Sequence, residues 1–281
     1  MRVDDLLARG TTISFEFFPP KSEAEAATLD KALVELAPLE ASFVSVTYRG
    51  GASSRAATYD LVRRLHDEGR VAPMAHLTCV HHTRGELVEI LESYRDAGIE
   101  NLMLLGGDVD PAHGAVGELR HAVELVELAR GVGTFCIGVA AQPAGHPDSP
   151  DLATDRRHLA AKLAAADFAA TQLFFEVAEW RALVSDLAAL GVDKPVLPGI
   201  MPVTTLGSIT RMRDLGGAVP GWLVERLEAA ASSGPGAVRA AGVDAATELC
   251  RDLLASGAPG LHFYTLNRST ATREIVARLR A

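Results

Sequence analysis

Apolar and polar positions switch between two periods along this chain. Thr12-Ile13-Ser14-Phe15-Glu16-Phe17-Phe18 reads as a strand and stops at Pro19-Pro20. Ser22 and Glu25 follow at capping-box spacing, and Leu29, Leu33 and Leu36 share one helical face. Phe43 to Thr47 predicts a second strand, with Leu61 and Leu65 in the helix after it. Met74 to Val80 predicts a third. Thr83 and Glu86 then repeat the capping-box spacing, Leu87, Ile90, Leu91 and Tyr94 form an apolar stripe, and Gly98 stops the helix. Leu102 to Leu105 is the fourth strand, and its helix carries Leu119, Val123 and Val126. Further strands are expected at Phe135 to Ala141, Ala170 to Phe175, Pro195 to Ile200 and Leu261 to Thr265. The helices among them are expected near Leu152 to Ala166, Trp180 to Leu190, Thr205 to Leu215, Trp222 to Ala231 and Val238 to Leu254, with a last one after Arg268.

Such alternation implies right-handed crossovers and a parallel sheet. Eight units in 281 residues suit a single-domain α/β fold, a (β/α)8 TIM barrel spanning residues 1–281. An open doubly wound sheet is the competitor, and it usually carries a glycine-rich first turn. Here that turn is Phe18-Pro19-Pro20-Lys21, and neither G-x-G-x-x-G nor GxxxxGK[ST] occurs.

Charge narrows the partners. With 27 basic and 36 acidic residues the net charge is −9, and no basic stripe offers a nucleic-acid surface. Cys79, Cys136 and Cys250 lie far apart with no CxxC or zinc spacing, and read as buried thiols in a reducing compartment. Met1-Arg2-Val3-Asp4-Asp5 opens no signal-peptide pattern, and no apolar run is long enough to span a bilayer. The expectation is a cytoplasmic protein with no membrane partner.

In a barrel the chemistry gathers at the C-terminal ends of the strands. Those positions hold Glu16, Thr47, His76 and Thr78, then Gly106-Gly107-Asp108, Gln142, Gln172, and Thr265, Asn267 and Arg268. Glu16 stands inside an apolar strand. A carboxylate there either pairs with a cation or has its pKa raised by desolvation, and the second state donates a proton near neutrality. Asp108 after two glycines serves either a closely approached flat ligand or a turn. Gln172 either reads the edge of a heterocycle or stitches neighbouring strands. His76, His81, His82 and His146 show no HxH or HExxH spacing, so no metal site is expected. A nucleophile elbow is absent too.

In this order, the segments Ser14 to Lys21, Val46-Thr47-Tyr48, His76-Leu77-Thr78-Cys79, Gly107-Asp108, His146-Pro147, Thr171 to Phe175, Pro198 to Val203 and His262 to Arg268 resemble methylenetetrahydrofolate reductase in its bacterial, single-barrel form. The resemblance runs from the first strand to the last. It implies reduction of 5,10-methylenetetrahydrofolate to 5-methyltetrahydrofolate with hydride from NADH or NADPH, in one-carbon metabolism and methionine biosynthesis. It assigns Glu16 as the acid that opens the folate ring at N10. Asp108 would face the cationic iminium, and Gln172 would hold the pterin and the nicotinamide carboxamide. Arg268 would grip the glutamate tail, with Leu266 lining the same wall.

Most of that family relays hydride through bound FAD. Thr47, His76, Gly107, His146, Asp155 and Lys162 match its cofactor contacts. The chain departs from the pattern at Gly106 (typically Arg), at Gln142 (usually Tyr), at Ala160-Ala161 (often basic) and at Leu227, where a Phe often stacks on NADH. These departures favour direct transfer from NADH or NADPH to the folate, with the FAD relay as the alternative. No ribose-reading motif separates the two nucleotides. Two other readings remain: a different barrel enzyme acting on a pterin or small carbonyl substrate, with Glu16 as base, and a non-catalytic barrel subunit. Trp222-Leu223 offers a candidate face for a homo-oligomer, although a core contact is the commoner use of such a pair.

Overall fold

The computed structural model describes residues 1–48, 52–107, 117–214 and 218–281. Helix α1 (Val3–Arg9) precedes β1 (Thr12–Phe17), α2 (Glu23–Leu36), β2 (Phe43–Val46), α3 (Ala52–Glu68), β3 (Ala72–Thr78), α4 (Arg84–Asp96) and β4 (Asn101–Leu105). Then come α5 (Ala122–Val132), β5 (Cys136–Ala141), α6 (Leu152–Ala165), β6 (Phe168–Thr171), α7 (Val177–Ala189), β7 (Val196–Leu197) and β8 (Gly199–Ile200). The chain closes with α8 (Leu206–Asp214), α9 (Gly221–Ala231), α10 (Pro235–Ala255), β9 (Gly260–Tyr264) and α11 (Thr270–Arg280).

All nine strands belong to one parallel sheet in the order β7-β6-β5-β4-β3-β2-β1-β9-β8. β7 pairs with β6 and β8 pairs with β9, so the two short strands are one barrel stave broken at Pro198. Proline has no N–H to give a ladder, but its carbonyl still accepts from His262 N at 3.0 Å. Gly199 then makes closure sterically possible: a Cβ there would lie 2.3 Å from the Thr171 carbonyl oxygen and 2.6 Å from the Tyr264 ring. The expected eight-stave barrel is therefore present, with its seventh stave split.

Side chains alternate between the outer face of each strand and the barrel interior. Phe15, Phe17, Val44, Val46, Leu102 and Ile137 pack outward into the main core under the helices. The inward set at the bottom is apolar: Phe43, Met74, Met103, Cys136, Phe168 and Leu197 form one cluster with Val3. Helix α1, which the periodicity did not announce, plugs that end. Its Val3 N–H donates to Asn101 Oδ1 at 2.8 Å, and Leu6 and Leu7 pack on the cluster.

Two other local expectations shift. The Thr83–Glu86 box forms in full, but Ser22 only accepts from Glu25 N, while Glu25 reaches Lys21 N instead of closing the box. The sixth strand ends at Thr171, so Gln172 to Phe175 leave the sheet: Phe174 enters the main core, and Leu173 and Phe175 join a second cluster with α8 to α10. Burial alone made those residues look like strand. The three cysteines are free and buried, as expected. Among the described residues no helix is long and apolar enough to cross a membrane.

Candidate active site

The inward positions change character near the C-terminal mouth. Parallel register sets Glu16 beside Ser45 of β2 on one side and Tyr264 of β9 on the other. One step below, Ser14 lies level with His262. The result is a polar layer above an apolar plug. Ser45 Oγ donates to Glu16 Oε2 at 3.3 Å and lies 3.3 Å from His262 Nε2. His262 Nδ1 is 2.8 Å from Ser14 Oγ, and its ring stacks on Phe43. His76 Nε2 approaches Glu16 Oε2 to 3.4 Å, yet the angle makes no hydrogen bond and leaves that buried nitrogen without a partner. The Thr78 hydroxyl below the same mouth is also unpartnered. Orphaned polar atoms of this kind point toward a ligand, since burying them unpaired costs roughly 1–3 kcal/mol each.

The side chain of Glu16 keeps 18 % of its surface exposed. Burial pushes its pKa up, but hydrogen bonding to His262 and to the Ser45 hydroxyl and the nearby His76 and His262 rings pull harder, so the carboxyl sits below its ordinary value. Of the two states read from the sequence, the structure holds the paired, ionised one. The raised-pKa state is corrected to that extent. Burial lowers the pKa of His76 and keeps its ring neutral at neutral pH. Tyr264 is pushed well above its usual range by burial and by Glu16, and its hydroxyl donates to the Thr171 carbonyl.

The remaining predicted residues ring this layer. Gln172 follows β6, and its Oε1 accepts from Leu173 N at 3.0 Å. Leu266 and Asn267 both adopt left-handed backbone, with φ 51° and 56°. Asn267 holds that turn by bonding both the N–H and the C=O of Phe18, and Thr265 Oγ1 donates to the Glu16 carbonyl at 2.6 Å. This clamp presents Leu266 to the second apolar cluster and Arg268 to solvent, without an ion pair among the described residues. Gly107 has φ +84° and sits so close to Val80 and Thr78 that a Cβ would meet them at 2.5 and 2.9 Å. Asp108, which follows it, lies outside the described residues.

The positions matched to cofactor contacts are largely engaged with the protein itself. Thr47 N–H donates to the Phe17 carbonyl, and its own carbonyl accepts from Thr58. Buried Asp155 accepts from His146 N and Ser149 Oγ and pairs with Arg156 at 3.1 Å. Arg156 in turn grips the carbonyls of Gln142 and Pro143 and the carboxylate of Asp186. His146 is exposed at the same loop. Lys162 Nζ donates to the Ala140 carbonyl at 2.6 Å, and burial pulls its pKa down to about 8. A Cβ built on Gly106 would meet the Arg120 carbonyl oxygen at 3.9 Å, an ordinary contact, so among the described residues nothing forbids a side chain there. Leu227, where the family often carries the stacking Phe, is fully buried in the second apolar cluster. Leu223 is buried in that cluster as well, while Trp222 is 42 % exposed and donates to Glu176.

Sequence reasoning missed Ser45 and His262 as site residues. The signal was present, a polar residue at one inward position of each apolar strand, but it needs the register to be read.

A family model for methylenetetrahydrofolate reductase matches residues 2–280. The 5,10-methylenetetrahydrofolate reductase of Pectobacterium carotovorum is 32 % identical over 259 residues, covering 92 % of this chain and 86 % of that protein. The methylenetetrahydrofolate reductase (NADH) 1 of Arabidopsis thaliana is 34 % identical over 276 residues, covering 92 % of this chain and 46 % of that protein. Among solved structures, an uncharacterized Clostridium thermocellum protein that binds two copies of 5-methyl-5,6,7,8-tetrahydrofolic acid superposes with a TM-score of 0.66 at 16 % identity, covering 99 % of this chain and 97 % of that one.

Proposed function

Because this chain belongs to the methylenetetrahydrofolate reductase family and is an oxidoreductase of folate, we propose that it passes hydride directly from a reduced nicotinamide dinucleotide to 5,10-methylenetetrahydrofolate, with Glu16 as the acid. The single observation that carries the acid role is the polar layer around Glu16, set above an otherwise apolar barrel interior.

The chemistry has two parts. Glu16 gives a proton to N10 as the C–N10 bond of the imidazolidine ring breaks, which leaves a cationic iminium on N5. The C4 hydride of the dihydronicotinamide then adds to the iminium carbon, so the nucleotide is oxidised by two electrons and the folate reduced by two. Asp108 faces the cation, Gln172 orients the pterin and the carboxamide, and Arg268 meets the glutamate carboxylates. A bound pterin expels water from the mouth, which strengthens the desolvation that raises the Glu16 pKa and prepares it to donate.

What supports a flavin-free route is the donor set. A flavin dinucleotide brings a diphosphate that needs cations. Gly106 supplies none, Arg156 is locked on two carbonyls and two carboxylates, and Lys162 is turned onto a carbonyl. The residues present do not fit that group well. The test is a visible spectrum of the purified protein, followed by NADH and NADPH oxidation with methylenetetrahydrofolate, with and without added FAD. The account expects a colourless protein and turnover unchanged by FAD. A yellow protein, or turnover that requires FAD, overturns the direct route and favours the relay.

A further inference from the structure

Hydrogen counting at the polar layer leads to one residue beyond those above. Ser14 Oγ lies 3.3 Å from the Leu261 carbonyl oxygen and 2.8 Å from His262 Nδ1; with its hydrogen given to the carbonyl it meets Nδ1 as an acceptor, and that nitrogen carries a hydrogen. Ser45 Oγ donates to Glu16 Oε2, so it offers His262 Nε2 only a lone pair, and Nε2 carries a hydrogen too. In that arrangement both ring nitrogens carry a hydrogen, beside a carboxylate. A second arrangement satisfies the same contacts: protonated Glu16 donates to Ser45, and Ser45 donates to a bare Nε2. The two differ by a concerted shift of two hydrogens along Glu16–Ser45–His262, with no atom displaced and no net charge gained.

We propose that His262 stores the proton that Glu16 delivers to the folate, and returns it through the Ser45 hydroxyl. His262 is a positioning residue here, since it acts through Glu16 and does not touch the substrate. Ser45 gives its hydrogen to Glu16 Oε2 and takes one from His262 Nε2, so the balance closes. The groups facing this ring are Ser14 and Glu16 on β1, Ser45 on β2, His76 on β3 and Tyr264 on β9, and Phe43 covers its face. His262 and both serines are buried, which keeps water from supplying the proton from below.

The inference rests on the acid role of Glu16, so Glu16→Gln is assayed beside the two test variants. His262→Gln should keep KM within about twofold. Its kcat should match the parent within a few-fold near pH 5.5 and fall tenfold or more at pH 8, because the alkaline limb moves to lower pH once Glu16 holds its proton alone. Ser45→Ala should leave that limb in place and lower kcat at every pH. Nitrogen-15 NMR of the unaltered protein should show hydrogen on both His262 nitrogens without ligand and on Nδ1 alone with folate bound. An unmoved limb in His262→Gln, or a kcat reduced by one factor at all pH values, overturns the proposal. So does a ring that is neutral in both states, a result that does not depend on whether any variant folds. If Glu16→Gln keeps full kcat, it is the acid role itself that fails.

Discussion

Glu16 has two opposing pulls on its proton, one from burial and one from three neighbours, and the neighbours win. Its removal is the sharpest test at this scale. Glu16→Gln keeps the shape and removes the acid, and general-acid catalysis contributes about 10²- to 10⁴-fold. The expected loss in kcat is of that order, read by steady-state NADH oxidation; a loss under tenfold contradicts the role. Arg268 makes a separable prediction. In the proposed role its exposed guanidinium meets a flexible, charged tail, so Arg268→Ala should raise KM for the folate by about tenfold, equivalent to ~1.4 kcal/mol, with kcat little changed. Glu16 was legible because a carboxylate in an apolar strand conflicts with its surroundings. Ser45 and His262 conflict less, and only their pairing across β1 brings them to Glu16.

At the scale of elements, the barrel closes through a stave interrupted at Pro198, and Gly199 is a point of close approach in it. Gly199→Ala forces a methyl against the Thr171 carbonyl and Tyr264, so overpacking should lower stability by about 1–3 kcal/mol. Urea unfolding monitored by circular dichroism checks this, and a variant as stable as the parent contradicts the packing described. Strand and helix alternation was readable because each unit shows its period over several residues. Helix α1 was not, since seven residues with charges at Asp4 and Asp5 leave too short an apolar face to announce itself. The end of β6 was misplaced because Leu173, Phe174 and Phe175 are buried without being paired, and hydrophobicity records burial rather than hydrogen bonding.

For the whole molecule, the net charge of −9 repels a polyanionic folate and a dinucleotide, so local cations such as Arg268 must oppose the global field. Binding should therefore tighten as salt screens that field, up to the point where the local contacts are screened as well. Stability has its own pH dependence. Burial lowers the pKa of His76 and of His82, the latter bonded to Tyr48, below the ordinary 6.5. Each is buried neutral, so its unfolded form binds a proton first as pH falls. Stability is full above about pH 6.5 and declines below it, by at most ~1.4 kcal/mol per pH unit for each group. Thermal melting should thus drop between pH 7.5 and 5.5, and His76→Gln should flatten the slope. An equal slope in parent and variant contradicts the neutral burial of His76.

The route of the hydride is decided most directly by isotope. Nicotinamide dinucleotide carrying two deuterons at C4 is mixed with methylenetetrahydrofolate and excess enzyme in ordinary water, and the product is read by mass spectrometry. Direct transfer places one deuteron in the new methyl group, quantitatively. A product whose methyl carries only protium means that the hydride paused on a group that exchanges with solvent, and contradicts the account.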